Sequence, residues 1–308
     1  MKKTALPAIA ALAAVLSALM ALSACQTMES AAQIATTIGQ GAGVITGAQA
    51  DSIRKSARAV ARSAEEFTPE QEYYIGRTVG AVVLTRYKAY DQAAVNRYVN
   101  TLGQTLAQAS DLPSIFGGYH FLVLNSDDIN AFATPSGLVF VTRGLLRCCR
   151  SEEALAAVLA HEIGHIQLRH GMQAIEKARV TEALTTLAAE GAKTLGSDQV
   201  ASLTQTFEGA IADITSSLIN NGYARTSEYE ADRAAVALLR RVGYDPNGLI
   251  EMLTVMGRNL KPGGYDFSKT HPAPKDRIAE LRKEGLWMAA VQTTTTRQQR
   301  FQQALGRI

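Results

Sequence analysis

Hydrophobic positions recur at helical spacing through most of the chain. In the clearest case Val95, Val99, Leu102 and Leu106 share one helix face. The first helix of the folded part begins with a capping box at residues 68–71. The other segments with helical spacing or helix-start signals are predicted at residues 69–87, 153–168, 173–220 with a break near 196–198, 228–241, 246–256 and 274–284. The chain is therefore predicted to be mainly helical.

Two short runs, residues 119–124 and 138–142, have strand character, and polar turn residues bound them. They precede the most apolar helical segment, 153–168. Ser151 is a candidate N-cap for that helix, and Gly171 is a candidate stop. The expected fold is therefore α+β, with a small β-sheet next to this helix.

The first 25 residues have the pattern of a targeting signal. Lys2 and Lys3 precede an apolar stretch at residues 8–22, and Leu22-Ser23-Ala24-Cys25 ends it. This tetrapeptide resembles a bacterial lipobox, in which Cys25 becomes the lipidated first residue of the mature chain. The alternative is an uncleaved anchor, but the apolar run is short for a full membrane span and ends in small residues.

The residue after the lipobox bears on location. By the same resemblance to a lipobox, Gln26, which stands where an inner-membrane retention signal usually has Asp, implies an outer-membrane lipoprotein facing the periplasm. Residues 31–50 carry no charge but are too polar to span a membrane. Residues 25–66 are expected to be a tether, and a mobile linker is preferred over a partly helical one.

Composition and cysteine content narrow the function classes. The 308 residues are 47% hydrophobic and 19% charged, as in an ordinary globular chain, and the formal charge of +3 does not indicate nucleic-acid binding. Besides Cys25 the chain has Cys148 and Cys149, which are adjacent and so poorly placed to pair with each other. They are expected to be partly buried thiols, or one of them forms an intermolecular disulfide.

The strongest chemical signal is His161-Glu162-Ile163-Gly164-His165 in the apolar helix. Residues four apart lie about 40° apart around a helix, so His161 and His165 project from one face. Two histidines with Glu162 between them are the two zinc ligands and the general base of a metalloprotease. The alternative is a helix that carries these residues by chance, but unpaired charge in so apolar a segment is costly.

Zinc needs a third protein ligand. The metzincin pattern would require Gly at position 168 and His at position 171, and the chain has Leu168 and Gly171 there. The better candidate is Glu228, with Asp232 one turn later on the same helix face to accept a hydrogen bond from a ligand imidazole. A solvated charged helix remains the alternative for this segment. His170 lies out of register and is expected to be structural.

Together these motifs resemble the M48 metallopeptidases, the family of Ste24 and HtpX, and specifically its soluble, periplasmic, BepA-like lipoprotein branch. The segments that carry the resemblance follow the family order; they are residues 130–137, 141–146, 161–165, 228–232, 270–272 and 277–278. The resemblance implies a gluzincin fold, one Zn²⁺ per chain and Glu228 as the third ligand.

The resemblance also implies roles for residues outside the zinc helix. His271 and Arg277 match positions beside the metal, where the histidine stabilises the oxyanion or caps the zinc at rest. On sequence alone, His271 in a Pro-rich loop reads as a surface residue. The strand at Asn130, Ala131 and Phe132 is implied to bind extended substrate backbone.

The expected function is therefore hydrolysis of misfolded or unassembled envelope proteins, with outer-membrane assembly machinery as a possible partner. The rival interpretation is a chaperone or assembly factor with a latched or structural zinc site; a peptidoglycan hydrolase fits less well. The domains expected are a signal peptide (1–24), a lipid-anchored tether (25–66), a metallopeptidase domain (67–290) and a polar, peripheral C-terminal tail (291–308).

Overall fold

The computed structural model describes residues 25–43, 45–64, 67–177, 222–260, 271–286 and 290–308. The predicted signal peptide, most of the predicted helix at 173–220 and the turn around Pro262 and Gly264 lie outside the described residues. The chain divides into two compact units, which are Met1–Glu66 with Ile175–Ala210 and Phe67–Ala174 with Ile211–Ile308.

In the first unit the described residues form two helices that pack on each other, α1 (Cys25–Gly41) and α2 (Gly47–Ala64). The expectation of a mobile linker is therefore wrong in its secondary structure. Ala32 on α1 and Ala50 on α2 are buried, and Arg54 on α2 donates to the Thr36 hydroxyl on α1 at 3.1 Å. No described helix is both long and apolar enough to span a membrane.

The second unit contains a three-stranded sheet with the order β1-β3-β2. Its strands are β1 (His120–Leu124), β2 (Ala131–Ala133) and β3 (Leu138–Thr142). β1 and β3 run parallel, whereas β2 pairs with β3 in the antiparallel sense, with Phe132 opposite Phe140. The short strand β2 therefore lies at an edge of the sheet, with one side of its backbone not paired to β3.

The described helices of this unit are α3 (Pro69–Arg86), α4 (Ala93–Gln108), α5 (Arg143–Leu146), α6 (Glu152–Gln167), α7 (Arg225–Arg241), α8 (Asn247–Asn259), α9 (Pro274–Lys283) and α10 (Thr295–Leu305). Six of them lie at predicted segments, whereas α5 and α10 were not predicted. The capping box between Thr68 and Gln71 is present, and Ser151 caps α6 by accepting from the Ala154 N–H. The predicted fold class, mainly helical α+β, is confirmed.

The end of α6 differs from the prediction. The helix ends at Gln167, and the left-handed turn that terminates it is at Arg169, with φ at 57°, rather than at Gly171. The Arg169 guanidinium forms an ion pair with Glu72 on α3. Gly171 instead serves packing, since an added Cβ would lie 3.0 Å from Pro135. The chain is helical again at residues 170–177.

The C-terminal tail was predicted to be peripheral, and this is wrong for its helix. α10 buries Phe301 and Leu305 in the main hydrophobic core. Arg300 pairs with Glu152 at the start of α6, and Arg297 pairs with Glu153. Two apolar residues one turn apart are enough to dock a short polar helix when its basic residues meet buried carboxylates.

The core is built around α6, whose residues from Glu152 to Ile166 are all buried. α7, α8 and α4 pack against it. α6 and α7 approach closely at Gly164, where an added Cβ would lie 3.0 Å from the Ala231 carbonyl oxygen. This close crossing places the acidic residues of α7 beside the two histidines of α6.

Candidate active site

Four side chains from three parts of the second unit converge on one point. His161 and His165 come from α6, Glu228 comes from the first turn of α7, and His271 precedes α9. One candidate ligand atom from each residue lies within 4.8 Å of the others. The Nε2 atoms of His161 and His271 lie 3.5 and 3.7 Å from Glu228 Oε2. The His165 Nε2 lies 3.5 Å from Glu228 Oε1.

The chemistry of this group fits a metal cation. The Glu228 side chain is fully buried, yet neither of its carboxylate oxygens has a hydrogen-bond partner among the described residues. The Nε2 atoms of His161 and His165 approach to 3.1 Å. A buried carboxylate and converging imidazole nitrogens are unfavourable without a positive charge between them, and they are ligand types that zinc prefers.

The outer nitrogen of His161 has an acidic partner. Its Nδ1 lies 2.9 Å from Asp232 Oδ1, so the Nδ1–H donates to the carboxylate and leaves Nε2 free for a metal. Asp232 is held in turn by the fully buried Arg277, whose Nε donates to Asp232 Oδ2 at 2.8 Å. Asp232 and Arg277, both singled out from the sequence, thus lie together behind His161.

The electrostatics of the site favour an added positive charge. Burial and Arg277 act to lower the pKa of His161, but Asp232 and Glu228 outweigh them and raise it to about 9. Burial raises the pKa of the Glu162 carboxyl to about 7. Burial also acts to raise the pKa of Asp232, but Arg277 and His161 lower it to about 2. Asp232 is therefore ionised, and the group around Glu228 stabilises a cation.

A narrow cleft runs past this group. Glu162, His271 and Tyr223 line it together with the edge strand Ala131–Ala133. In the ladder with β3, the Thr134 N–H donates to Leu138 and the Asn130 carbonyl accepts from Thr142. Because antiparallel pairing alternates, the Ala131 and Ala133 backbone groups point away from β3, toward the open side of the strand.

The three predicted substrate-binding residues differ in placement. Ala131 and Phe132 line the cleft, although the Phe132 ring packs against Val83 and Phe140. Asn130 is buried, and its Oδ1 accepts from the Ala131 N–H at 2.9 Å. The Asn130 side chain therefore shapes the start of β2, and it is not among the residues that line the cleft.

Sequence reasoning missed three residues here. Tyr223 stacks on the His165 ring, with centroids 4.3 Å apart. His170, expected to be merely structural, lies with its Nδ1 2.9 Å from the His165 Nδ1 and is bonded to Glu230. Helical spacing gives no signal for any of them, because each reaches His165 through a turn or from another element.

Two buried histidines on an H-E-x-x-H helix, with a buried glutamate from a second helix and an edge strand nearby in a mainly helical α+β domain, are the arrangement of a gluzincin-type metallopeptidase domain. The chain belongs to peptidase family M48, whose sequence profile matches residues 93–285. The family match agrees with the metallopeptidase prediction made from the motifs.

Relatives of known name agree with the family. The chain is 30% identical over 216 residues to the beta-barrel assembly-enhancing protease of Escherichia coli K12, covering 68% of this chain and 42% of that protein. It is 29% identical over 206 residues to the mitochondrial metalloendopeptidase OMA1 of Schizosaccharomyces pombe, covering 63% and 53%. Metalloprotease LoiP of E. coli K12 is 29% identical over 163 residues, covering 53% and 61%. The match thus spans less than half of the first relative.

Proposed function

We propose that this protein is a zinc-dependent endopeptidase, tethered to the outer membrane by lipidated Cys25, that hydrolyses misfolded or unassembled envelope proteins. The observation that carries the proposal is the Glu228 carboxylate, buried among His161, His165 and His271 with no hydrogen-bond partner among the described residues. A carboxylate in that position requires a cation.

His161, His165 and Glu228 are the proposed protein ligands of the zinc ion. When bound, zinc supplies a Lewis acid that activates water and polarises the scissile carbonyl. Asp232 fixes the orientation and the proton position of His161 through their 2.9 Å contact. Arg277 holds Asp232 in place and compensates its buried charge.

Glu162 is the proposed general base and acid. It follows His161 on α6 and lines the cleft, but its side chain is outside the convergent ligand group. Its carboxylate takes a proton from the attacking water and then delivers that proton to the leaving amine nitrogen. Burial raises the pKa of Glu162 to about 7, which suits a group that both accepts and donates a proton near neutral pH.

His271 and the edge strand are proposed to act on the substrate. His271 stabilises the oxyanion by donating from its ring. The Ala131 carbonyl and the Ala133 N–H, which point away from β3, pair with an extended peptide, as in β-augmentation. The Ala131 N–H does not take part, because it donates to Asn130 Oδ1. This recognition of backbone rather than side chains suits unfolded substrates, whose backbone is accessible.

The substrate class and location rest on separate support. The name of the E. coli relative connects its protease to β-barrel assembly. The lipobox-like Leu22-Ser23-Ala24-Cys25 and Gln26 favour attachment to the outer membrane on the periplasmic side. Unassembled outer-membrane proteins would be within reach of an enzyme held there, together with the machinery that assembles them.

The decisive test compares the purified full chain with its Glu162→Gln variant on an unfolded outer-membrane protein, with zinc content measured on both. We expect about one zinc per chain in each, cleavage by the wild type and a loss of at least about 10³-fold in the variant. Glu70→Gln, an exposed change on α3, is the matched control. Equal cleavage by the wild type and the Glu162 variant would refute the proposal.

A second candidate is a chaperone or assembly factor with a latched zinc site. It is favoured by His271, which completes a set of four protein donors, the closed arrangement typical of structural zinc. His271→Ala separates the two roles. Cleavage rises if His271 caps the metal at rest, falls if it stabilises the oxyanion, and is absent in both chains if the function is chaperoning.

A further inference from the structure

The His165 ring nitrogen that faces away from Glu228 contacts His170, and His170 contacts Glu230. The proposed mechanism does not use these two residues. The His165 Nε2 faces Glu228 at 3.5 Å, so its Nδ1 faces away from the ligand group. There it meets the His170 Nδ1 at 2.9 Å. The His170 Nε2 lies 3.2 Å from Glu230 Oε2. These contacts form a continuous path from His165 to a carboxylate.

The positions of the protons follow from the geometry. Two ring nitrogens 2.9 Å apart share one proton. His165 must keep the lone pair of Nε2 if that atom is to bind a cation, so its own proton lies on Nδ1 and the His170 Nδ1 accepts it. A neutral His170 then carries its proton on Nε2, which donates to Glu230. Every nitrogen in the path has a compatible partner.

The chain geometry explains how His170 reaches this place. Five residues along a continuous helix would put His170 about 140° away from His165. The helix instead ends at Gln167, and left-handed Arg169 turns the chain back toward α6. As a result the His170 side chain is 1% exposed against His165, while the Glu230 side chain remains 49% exposed.

We infer that His170 and Glu230 are positioning residues that fix the tautomer and orientation of His165 for metal binding. The inference rests on the proposed role of His165 as a ligand. α7 then supports the proposed metal site at three positions. Glu228 is a ligand, Asp232 lies behind His161, and Glu230 acts on His165 through His170. Each α6 histidine thereby has its own acidic support.

Two substitutions at position 170 separate positioning from packing. In His170→Asn the amide occupies the place of the Nδ1 atom and keeps an acceptor toward His165. In His170→Gln the amide occupies the place of Nε2, which keeps a partner for Glu230 but removes the acceptor for His165. His170→Ala removes both contacts, and Glu230→Ala removes only the outer one.

The experiment measures the zinc dissociation constant of the purified full chain by competition with a chromophoric chelator, and the melting temperature of the metal-free form. We expect the dissociation constant to rise about 10- to 100-fold in His170→Ala and His170→Gln. The zinc dissociation constant should stay within about threefold of wild type in His170→Asn. It should rise only a few-fold in Glu230→Ala, because the Glu230 side chain is partly exposed and water can replace its carboxylate. The metal-free melting temperatures of Asn and Gln variants should agree.

Equal zinc affinity in the Asn and Gln variants would overturn the inference and leave His170 a packing residue. So would unchanged affinity in His170→Ala. The readout is independent of proteolysis, so the two proposals fail in different ways. A wild-type chain that binds zinc with this dependence on His170 but cleaves nothing would refute the proposed function alone.

Discussion

Arg277 and Asp232 form a fully buried ion pair directly behind His161, the first histidine of the proposed metal site. The Arg277 Nε donates to Asp232 Oδ2 at 2.8 Å, and the other Asp232 oxygen accepts from His161. The pair lowers the pKa of Asp232 to about 2 against the opposing effect of burial. Asp232 therefore keeps its negative charge over the whole physiological pH range.

Removing Arg277 leaves the buried Asp232 carboxylate with His161 as its one remaining partner among the described residues. We expect Arg277→Ala to lower the free energy of unfolding by about 3–5 kcal/mol, as measured by chemical denaturation. Arg277→Lys keeps the charge but cannot donate along two directions from a planar group, so an intermediate loss is expected. Arg282→Ala, on the exposed face of the same helix, is the control. Equal losses at the two positions would contradict the role of the pair.

The edge strand offers a backbone test of substrate binding. Ala133→Pro removes an N–H that points away from β3, so the pairing within the sheet is retained and the pairing with a peptide is lost. We expect kcat/KM on an unfolded substrate to fall at least about tenfold, with unchanged zinc content and circular dichroism. Ala133→Ser keeps the N–H and is the control. Wild-type activity in the proline variant would exclude β-augmentation at this position.

The crossing of α6 and α7 is predicted to set the geometry of the metal site. A Cβ at position 164 would lie 3.0 Å from the Ala231 carbonyl oxygen and 3.2 Å from the Ala231 Cα. Gly164→Val must push α7, and with it Glu228, away from the histidines. We expect its zinc dissociation constant to rise at least about tenfold, and Gly164→Ala to have a smaller effect. Isothermal titration with zinc measures both, and unchanged affinity in the valine variant would refute the prediction.

The C-terminal helix is expected to stabilise the start of α6. The buried Glu152 carboxylate accepts from Arg300 and from the hydroxyls of Tyr98 and Tyr244. Arg300→Ala leaves the tyrosine contacts, so we expect a loss of about 1–3 kcal/mol in the free energy of unfolding. Arg307→Ala, exposed on the same terminus, should change it little.

This contribution should depend on pH. Burial acts to raise the pKa of Glu152, but Arg300 and the tyrosines outweigh it and hold the pKa below its usual value of 4.5. A carboxyl with a depressed folded pKa stabilises the fold above its unfolded pKa, and the stabilisation is lost as the pH falls. The difference between wild type and Arg300→Ala should therefore narrow below about pH 4.5. A constant difference from pH 7 to 3.5 would argue against the ion pair.

Cys148 and Cys149 are both free and buried. Burial raises the pKa of both thiols, so neither forms a reactive thiolate near neutral pH. In a Cys25→Ser chain we expect no reaction with a thiol reagent at pH 7.5 until denaturant is added, and then two thiols per chain. Rapid reaction of the folded chain, or a disulfide-linked dimer on a non-reducing gel, would contradict this.

Local features were readable from the sequence because they depend on residues three or four positions apart. The capping box at Thr68, the N-cap at Ser151 and the pairing of His161 with His165 are all of this kind. The choice of Glu228 and Asp232 also began with helical spacing. Their convergence with α6 was expected because H-E-x-x-H alone supplies too few ligands, and the structure brings them there.

The remaining features depended on packing between distant segments. α1 and α2 pack on each other and bury small residues such as Ala32 and Ala50. The sequence has no periodic stripe of large apolar residues there that would have predicted the contact. Phe301 and Leu305 of α10 pack into the main hydrophobic core, whose other residues come from distant segments of the chain. The left-handed turn at Arg169, whose side chain pairs with Glu72, brings His170 next to His165. Helical spacing alone had placed His170 on a different face from His165.

The sequence by itself therefore determined most helices of the second unit, the H-E-x-x-H pair and the family, since these lie in local spacing and motif order. Only the tertiary structure decided that His170, bonded to Glu230, lies behind His165 and that Tyr223 stacks on the His165 ring. The physical reason is that such positions follow from helix crossings and turns, as at Gly164 and Arg169, whose geometry no local periodicity encodes.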